Sequence, residues 1–500
     1  MKIKSKKWHK WVGLIFTLFI FTASVSGILL NHRYSLRNLD INRNLLPSKY
    51  HFKNWNNGAL KGNINISKDS TLLYGASGIW LNHDNKISNF SLGIKNIAEA
   101  KRIDNIVIDT KNSLFAKSTY IIYKYHKTKK IWENISDKWA FKTRISDITT
   151  KDDSLIVLTR SKVYISKHPY QEIKEITLQA PKNYKNEISL FKFLWVLHSG
   201  ELFGLGGQII VDIVGLITAI LSLTGLILFI LPKLIKRKKK KKMNTKKLAK
   251  SFKFNFKWHK KLGLWFLPLL FIICITGAFL RPPLLVAIIR AKIPTPKFTH
   301  IYSENPWNEK LRSIRYDNSH HDWLVYTSKG MFSFKNLDSK PVKLKVPPIS
   351  PMGLNVMKQT EDNKWILGSF RGAYLWDRNS NTCKDLIKNI ELPLVKRIGR
   401  PLGHISIYGY INSFNNRNIL IGKDNGPFEF YKPKQNIEFY KMPREIGKGR
   451  MSIWNTALEA HTGRIFLNIF GPLYVFIVCI AFFIIIITGY FISKKRKRKK

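Results

Sequence analysis

Four apolar runs, at about residues 12–30, 207–231, 262–280 and 469–492, are each long enough to cross the roughly 30 Å hydrocarbon core of a bilayer as a helix. They are not independent of one another. "KWHKWVGLIFTLFIFTASVSGILL" (7–30) aligns without a gap on "KWHKKLGLWFLPLLFIICITGAFL" (257–280), matching at Trp8/Trp258, His9/His259, Gly13/Gly263 and Gly27/Gly277. The helices that close each half also correspond: "LHSGELFG" (197–204) answers "AHTGRIFL" (460–467), and "LTGLILFILPK" (223–233) answers "ITGYFISKK" (487–495). Two helix pairs that run the same way predict a four-helix bundle with a pseudo-twofold axis along the membrane normal.

The net charge of +54 would suit a nucleic-acid binder, but its placement does not. Five lysines in 2–10, fifteen Lys/Arg in 233–261 and seven in 494–500 form three blocks without Asp or Glu, and each block abuts an apolar run. That is the pattern of cytoplasmic flanks under the positive-inside rule, and no nucleic-acid partner is expected. The chain then divides into a flank and first span (1–30), an exported loop (31–200), a second span (201–232), a basic cytoplasmic connector (233–261), a third span (262–280), a second exported loop (281–465), and a fourth span with a basic tail (466–500). The first run has the basic start and small residues of a signal peptide. Its length and its near copy inside the chain favour a retained helix. The three cysteines, two of them inside apolar runs, make neither a disulfide framework nor a CxxC metal site.

Both loops carry a shorter repeat. It reads "INISKDSTLLYGASGIWL" (64–81), "IVIDTKNSLFAKSTYIIY" (106–123) and "SDITTKDDSLIVLTRSKVYI" (146–165) in the first loop. In the second it reads "IRYDNSHHDWLVYTSKGMFSF" (314–334), "VMKQTEDNKWILGSFRGAYLW" (356–376) and "INSFNNRNILIGKDNGPFEFY" (411–431). Each unit is a β stretch, a polar turn, a second β stretch, a tight turn and an aromatic β stretch. Three units cannot close a ring, and an open arc would expose strand edges. Three blades from each loop suit a shared six-bladed propeller; two separate β-rich domains are the alternative.

Four histidines occupy equivalent places in the two halves. His9 and His259 mark the cytoplasmic ends of the first and third spans, and His198 and His461 the exported ends of the second and fourth. Gly200 and Gly463 follow the second pair at i+2, and Gly13 and Gly263 the first pair at i+4, on the same helical face, where a missing side chain lets a flat macrocycle approach. Facing imidazoles are what a six-coordinate haem b requires, so the expected cofactors are two haems b, one between His9 and His259 and one between His198 and His461. His32 is a rival outer ligand. Asp212, a carboxylate inside an apolar stretch, is expected to face the helix interior, as a proton acceptor, a ligand-orienting group or a helix–helix hydrogen bond. Glu201 and Arg464 occupy matching positions with opposite charge and suggest an ion pair; Arg464 or Arg33 would alternatively meet haem propionates. No zinc signature, P-loop, dinucleotide fingerprint or Ser/His/Asp pattern stands out, and the connector is too short for a flavin or NAD domain. A cytoplasmic electron donor is therefore quinol or another protein.

The patterns "WHKWVGL…SG", "WHKKLGL…TG" and "LHSGELFG…TG" resemble the PepSY-associated transmembrane family, over about a quarter of the chain. That resemblance implies a multi-pass protein of the bacterial inner membrane, linked to iron uptake, with His9, His198, His259 and His461 as haem ligands. It also implies an oxidoreductase that reduces a ferric siderophore. The loops depart from the family, whose members often carry α/β modules there, and this leaves the substrate open. The reading from another class is a membrane-anchored propeller that senses or scaffolds without catalysis. A transporter, the third, has little room for a substrate path in four unbroken helices.

Overall fold

The computed structural model describes residues 2–139, 143–395, 402–414, 417–435, 437–466 and 471–493. It divides into two compact units: a helical one (residues 1–37, 185–302 and 453–500) and a β one (38–184 and 303–452). The basic tail, 494–500, and the first residues of the expected fourth span lie outside the described residues.

The β unit is built from six antiparallel meanders. Their first strands are β1 (Gly62–Asn65), β2 (Asn105–Ile108), β3 (Ile145–Lys151), β4 (Leu311–Asp317), β5 (Leu354–Gln359) and β6 (Ile407–Phe414). Five meanders have four strands, one more than each repeat shows in sequence; the sixth has three among the described residues. The turn chemistry follows the repeats. Asn112, Asp152, His321 and Asn363 take positive φ in the polar turns, and Gly78, Gly330, Gly372 and Gly426 do so in the tight ones.

Alternation along each second strand decides what packs on what, because successive side chains leave opposite faces of a strand. Leu72 and Tyr74 pack with Ile106 and Ala116 of the second meander, while Leu73 packs with Ile419 and Ile421 of the sixth. Phe115 meets Ile148 and Val157 of the third, and Ile156 and Leu158 of the third meet Ile314 and Val325 of the fourth. Leu324 and Tyr326 meet Trp365 and Leu367 of the fifth, and Ile366 meets Ile407 and Leu420 of the sixth. Every meander is thus buried on both faces, and the sixth returns to the first. Gly62 pairs in parallel with Tyr410 at that return. The backbones come so close there that a Cβ on Gly409 would lie 2.2 Å from the Lys61 carbonyl oxygen. A buried ionic knot joins the fourth and fifth meanders: Arg378 bonds both Asp317 and Asp322, and Asp317 also accepts from Ser319, Gln359 and the Trp365 indole.

The helical unit holds α1 (Lys2–Asn31), α2 (Leu190–His198), α3 (Gly204–Lys240), α4 (Lys246–Trp265), α5 (Leu267–Phe279), α6 (Ile453–His461) and α7 (Tyr474–Ser493). Among the described residues three helices are long and apolar enough to cross a membrane, and a fourth crossing exists if α4 and α5 count as one span. α1 lies beside α3 and α7, α3 beside α4, and α5 beside α7.

Two features differ from the expected spans. The third is not a straight helix over 262–280: α4 and α5 meet at a 65° bend. Pro268, in the first turn of α5, has no N–H to donate to the turn before it, so α4 ends at Trp265. α5 alone rises roughly 20 Å, and needs the last turns of α4 to span. Nor do His198 and His461 start the second and fourth spans; each ends a separate nine-residue helix, α2 or α6, ahead of the span.

Candidate functional site

The two short helices turn sharply after their histidines. Gly200 and Gly463 follow with φ of +78° and +74°, and a Cβ on Gly200 would lie 2.2 Å from the Gly207 carbonyl oxygen. These glycines therefore make the turn into the span. At the other end of the unit, a Cβ on Gly13 would meet nothing within 4 Å, and one on Gly263 only Leu221 at 3.9 Å.

The four histidines come together in the expected pairs. His9 and His259 face each other with ring centroids 6.2 Å apart and planes at 85°. His198 and His461 do so at 6.3 Å and 59°. One construction holds every ring. His9 Nδ1 lies 3.0 Å from the Ile485 carbonyl oxygen and 3.2 Å from Thr488 Oγ1 on α7. His259 Nδ1 lies 2.8 Å from Thr224 Oγ1 on α3, with the Leu221 carbonyl beside it. His198 Nδ1 lies 3.1 Å from the Ile273 oxygen and 3.0 Å from Thr276 Oγ1 on α5. His461 Nδ1 lies 2.9 Å from the Ala23 oxygen and 3.2 Å from Ser26 Oγ on α1.

This arrangement assigns the tautomer. A carbonyl can only accept, and each hydroxyl already donates to the carbonyl four residues back, at Ile484, Ile220, Ile272 and Thr22. Nδ1 must therefore carry the proton in all four rings, and Nε2 keeps its lone pair. No hydrogen bond to any of the four Nε2 atoms is found among the described residues. An imidazole so held has the form that binds a metal through Nε2. A metal–imidazole bond of about 2 Å on each side, plus about 1 Å from nitrogen to ring centre, puts two axial rings roughly 6 Å apart. Both pairs have that spacing.

A glycine beside each hydroxyl completes the construction. A Cβ on Gly489, Gly225, Gly277 or Gly27 would lie 3.2, 3.5, 3.0 or 3.4 Å from Cε1 of His9, His259, His198 or His461 respectively. Ser/Thr-Gly therefore recurs four times as a receptor for one histidine of another helix. The signal was present in the sequence as 26–27, 224–225, 276–277 and 488–489. The repeats matched these positions without revealing that each meets a histidine from elsewhere in the chain.

The other polar residues have different partners from those the repeat symmetry suggests. His32 Nε2 lies 2.8 Å from Asp212 Oδ2, and Asn31 donates to Asp212 Oδ1 at 2.8 Å. Asp212 thus ties α1 to α3, and His32 faces neither pair. Arg464 binds Glu459 at 2.7 Å, and Glu201 lies 3.7 Å from Lys192, so the expected Glu201–Arg464 pair does not form. Arg33 stacks on Trp454 at 4.0 Å. Among the described residues no group of three or more His, Cys, Asp or Glu side chains is placed to hold a metal ion, so a zinc-type cluster has no ligands there.

The PepSY-associated TM region matches residues 159–496, which include His198, His259 and His461 but not His9. No curated protein matches the sequence. Among solved structures, the extracellular domain of a hybrid two-component system from B. thetaiotaomicron is 8% identical, with a TM-score of 0.33, over 74% of this chain and 32% of that one. A structural genomics protein of unknown function from Bacteroides thetaiotaomicron VPI-5482 is 8% identical, with a TM-score of 0.35, over 76% and 72%. PorZ, a surface component of the type-IX secretion system of Porphyromonas gingivalis, is 10% identical, with a TM-score of 0.31, over 74% and 31%. The chain spans about a third of the length of the first and last of these.

Proposed function

This chain belongs to the PepSY-associated TM family, and from that premise we propose that it is a di-haem b cytochrome of the bacterial inner membrane. It takes electrons from quinol or a cytoplasmic reductase and delivers them to an exported-side acceptor, ferric iron in a siderophore. The carrying observation is the two facing histidine pairs, each with its ring spacing and its Nε2 lone pairs fixed. His9 and His259 hold one haem, and His198 and His461 the other. Gly13, with open space beside it, leaves room for a macrocycle near the first pair. When bound, the two groups supply one-electron oxidation and reduction at two depths of the membrane.

The chain's own part is alignment. The Ser/Thr hydroxyls and carbonyls fix each imidazole and raise its donor strength, because each N–H is shared with an acceptor. The fold sets the distance: along α1, the rise from His9 to Ser26, which holds His461, is roughly 25 Å. The helices form a four-helix bundle in this reading, supported by the neighbour pattern α1–α3–α4/α5–α7–α1. The Lys-rich ends of α1, α3 and α4 face the cytoplasm. The β unit is exported and is a six-bladed propeller, three blades from each loop, supported by the cyclic packing of its six meanders. Reduction to Fe(II) loosens chelation by hard oxygen ligands, so iron leaves without the chelator being broken.

Proteoliposomes test the direction of transfer. With a quinol inside and a ferric siderophore outside, the intact protein should form Fe(II) outside, and H259A should abolish it. Equal rates in protein-free vesicles would refute the assignment.

A further inference from the structure

A cluster of charged side chains lies in the β unit, remote in sequence from the four histidines. A cavity of about 150 Å³ is lined by residues on or beside the first strand of every meander, β1 to β6. Three lysines and five arginines line it against two carboxylates, Asp104 and Asp147. Asp104 is shared by Lys61, Lys117 and Arg102. Asp147 is taken by Arg315 at 2.6 Å. Arg144 and Arg160 add two further cations to the lining.

One ammonium and one guanidinium N–H are left without an acceptor. The Lys358 ammonium has no hydrogen bond or ion pair with a described residue, and its charged neighbour is another cation, Arg315. Arg312 gives Nη1 to the carbonyls of Glu309 and Leu311, while its buried Nε has no acceptor. Burial pushes both Lys61 and Lys358 down to about 8. Buried cations and orphaned donors of this kind are costly unless something negative answers them.

We propose that this cavity is a binding site for a small, multiply charged oxyanion, a phosphate or a polycarboxylate, held by Lys358, Arg312 and the cations around Asp104. The volume admits either class, being room for several waters. Planar guanidinium groups and point-charge ammonium groups together suit several oxygens at once. Chloride, with one charge and no oxygen fork, is the discriminating control. The site rests on the β unit alone and stands whether or not the histidines bind haem.

The test uses the full-length protein in detergent, with thermal unfolding followed as inorganic phosphate, citrate or chloride is added at matched ionic strength. Phosphate, citrate or both should raise the midpoint saturably, chloride should not, and which of the two acts at lower concentration identifies the source of the oxygens. Lys358→Gln has no internal partner to lose, so it should fold, should be no less stable without anion, and should weaken the apparent dissociation constant about tenfold. Lys129→Gln, on an exposed turn, should leave it unchanged. Overturning results would be no saturable difference between phosphate, citrate and chloride, or equal weakening by Lys358→Gln and Lys129→Gln.

Discussion

Each of the four histidines is aimed by groups on another helix: a carbonyl that fixes the proton on Nδ1 and a hydroxyl that shares it. The hydroxyl is the part that can be removed without disturbing the backbone. Thr488→Val keeps the shape of the side chain and the Ile485 carbonyl, yet deletes one acceptor of His9. Haem titration of the apoprotein should show about tenfold weaker binding at one of two sites; unchanged affinity at both would mean the hydroxyl only packs. In the β unit Arg378 is a sensitive residue, since among the described residues it alone bonds both Asp317 and Asp322. Arg378→Met leaves two carboxylates buried without their cation and should cost about 3–5 kcal/mol in urea unfolding of the full chain. Burial alone would raise the Asp317 carboxyl, but hydrogen bonds from Ser319 and Arg378 hold it at about 2. Its folded value lies below the unfolded one of about 3.9, so its contribution is whole above that pH and is lost as pH falls from about 4 towards 2. Arg378→Met should flatten that part of the pH–stability curve.

At the scale of elements, the alternation of apolar residues and the turn chemistry were readable strand by strand, because both are local. The fourth strands were not: Val342–Lys343 and Lys174–Ile176 are short, polar pieces that exist by pairing with a neighbour. The bend between α4 and α5 had a visible cause in Pro268, but the apolar run around it reads equally well as one span. The glycines show the same division. Gly200 and Gly463 sit next to their histidines in sequence and serve the turn, while Gly277 and Gly489 are remote and touch the rings. Gly277→Val should therefore push His198 aside, since even its Cβ would lie 3.0 Å from the ring, and the purified protein should keep about one haem. Gly27→Ala, whose Cβ would stand at an ordinary 3.4 Å from His461, should keep both.

Over the whole molecule, one chain carries two kinds of internal repetition, and each has a different physical use. The helical duplication places equivalent histidines opposite each other, which is why pairs were legible where single residues were not. The β repetition buries both faces of every meander and lines one cavity with residues of all six, eight of them cations, a property that no single repeat displays. The Ser/Thr-Gly receptors were equally invisible in any one helix, because each meets a histidine of the other half: Thr488 on α7 meets His9 on α1, and Ser26 on α1 meets His461 on α6. The central claim is that these histidines are two pairs, each holding one haem. The most direct measurement is the haem-to-protein ratio of the purified chain and of His259→Ala and His461→Ala. The account predicts two haems in the intact protein and one in each variant; a ratio of zero in the intact protein, or two in both variants, would contradict it.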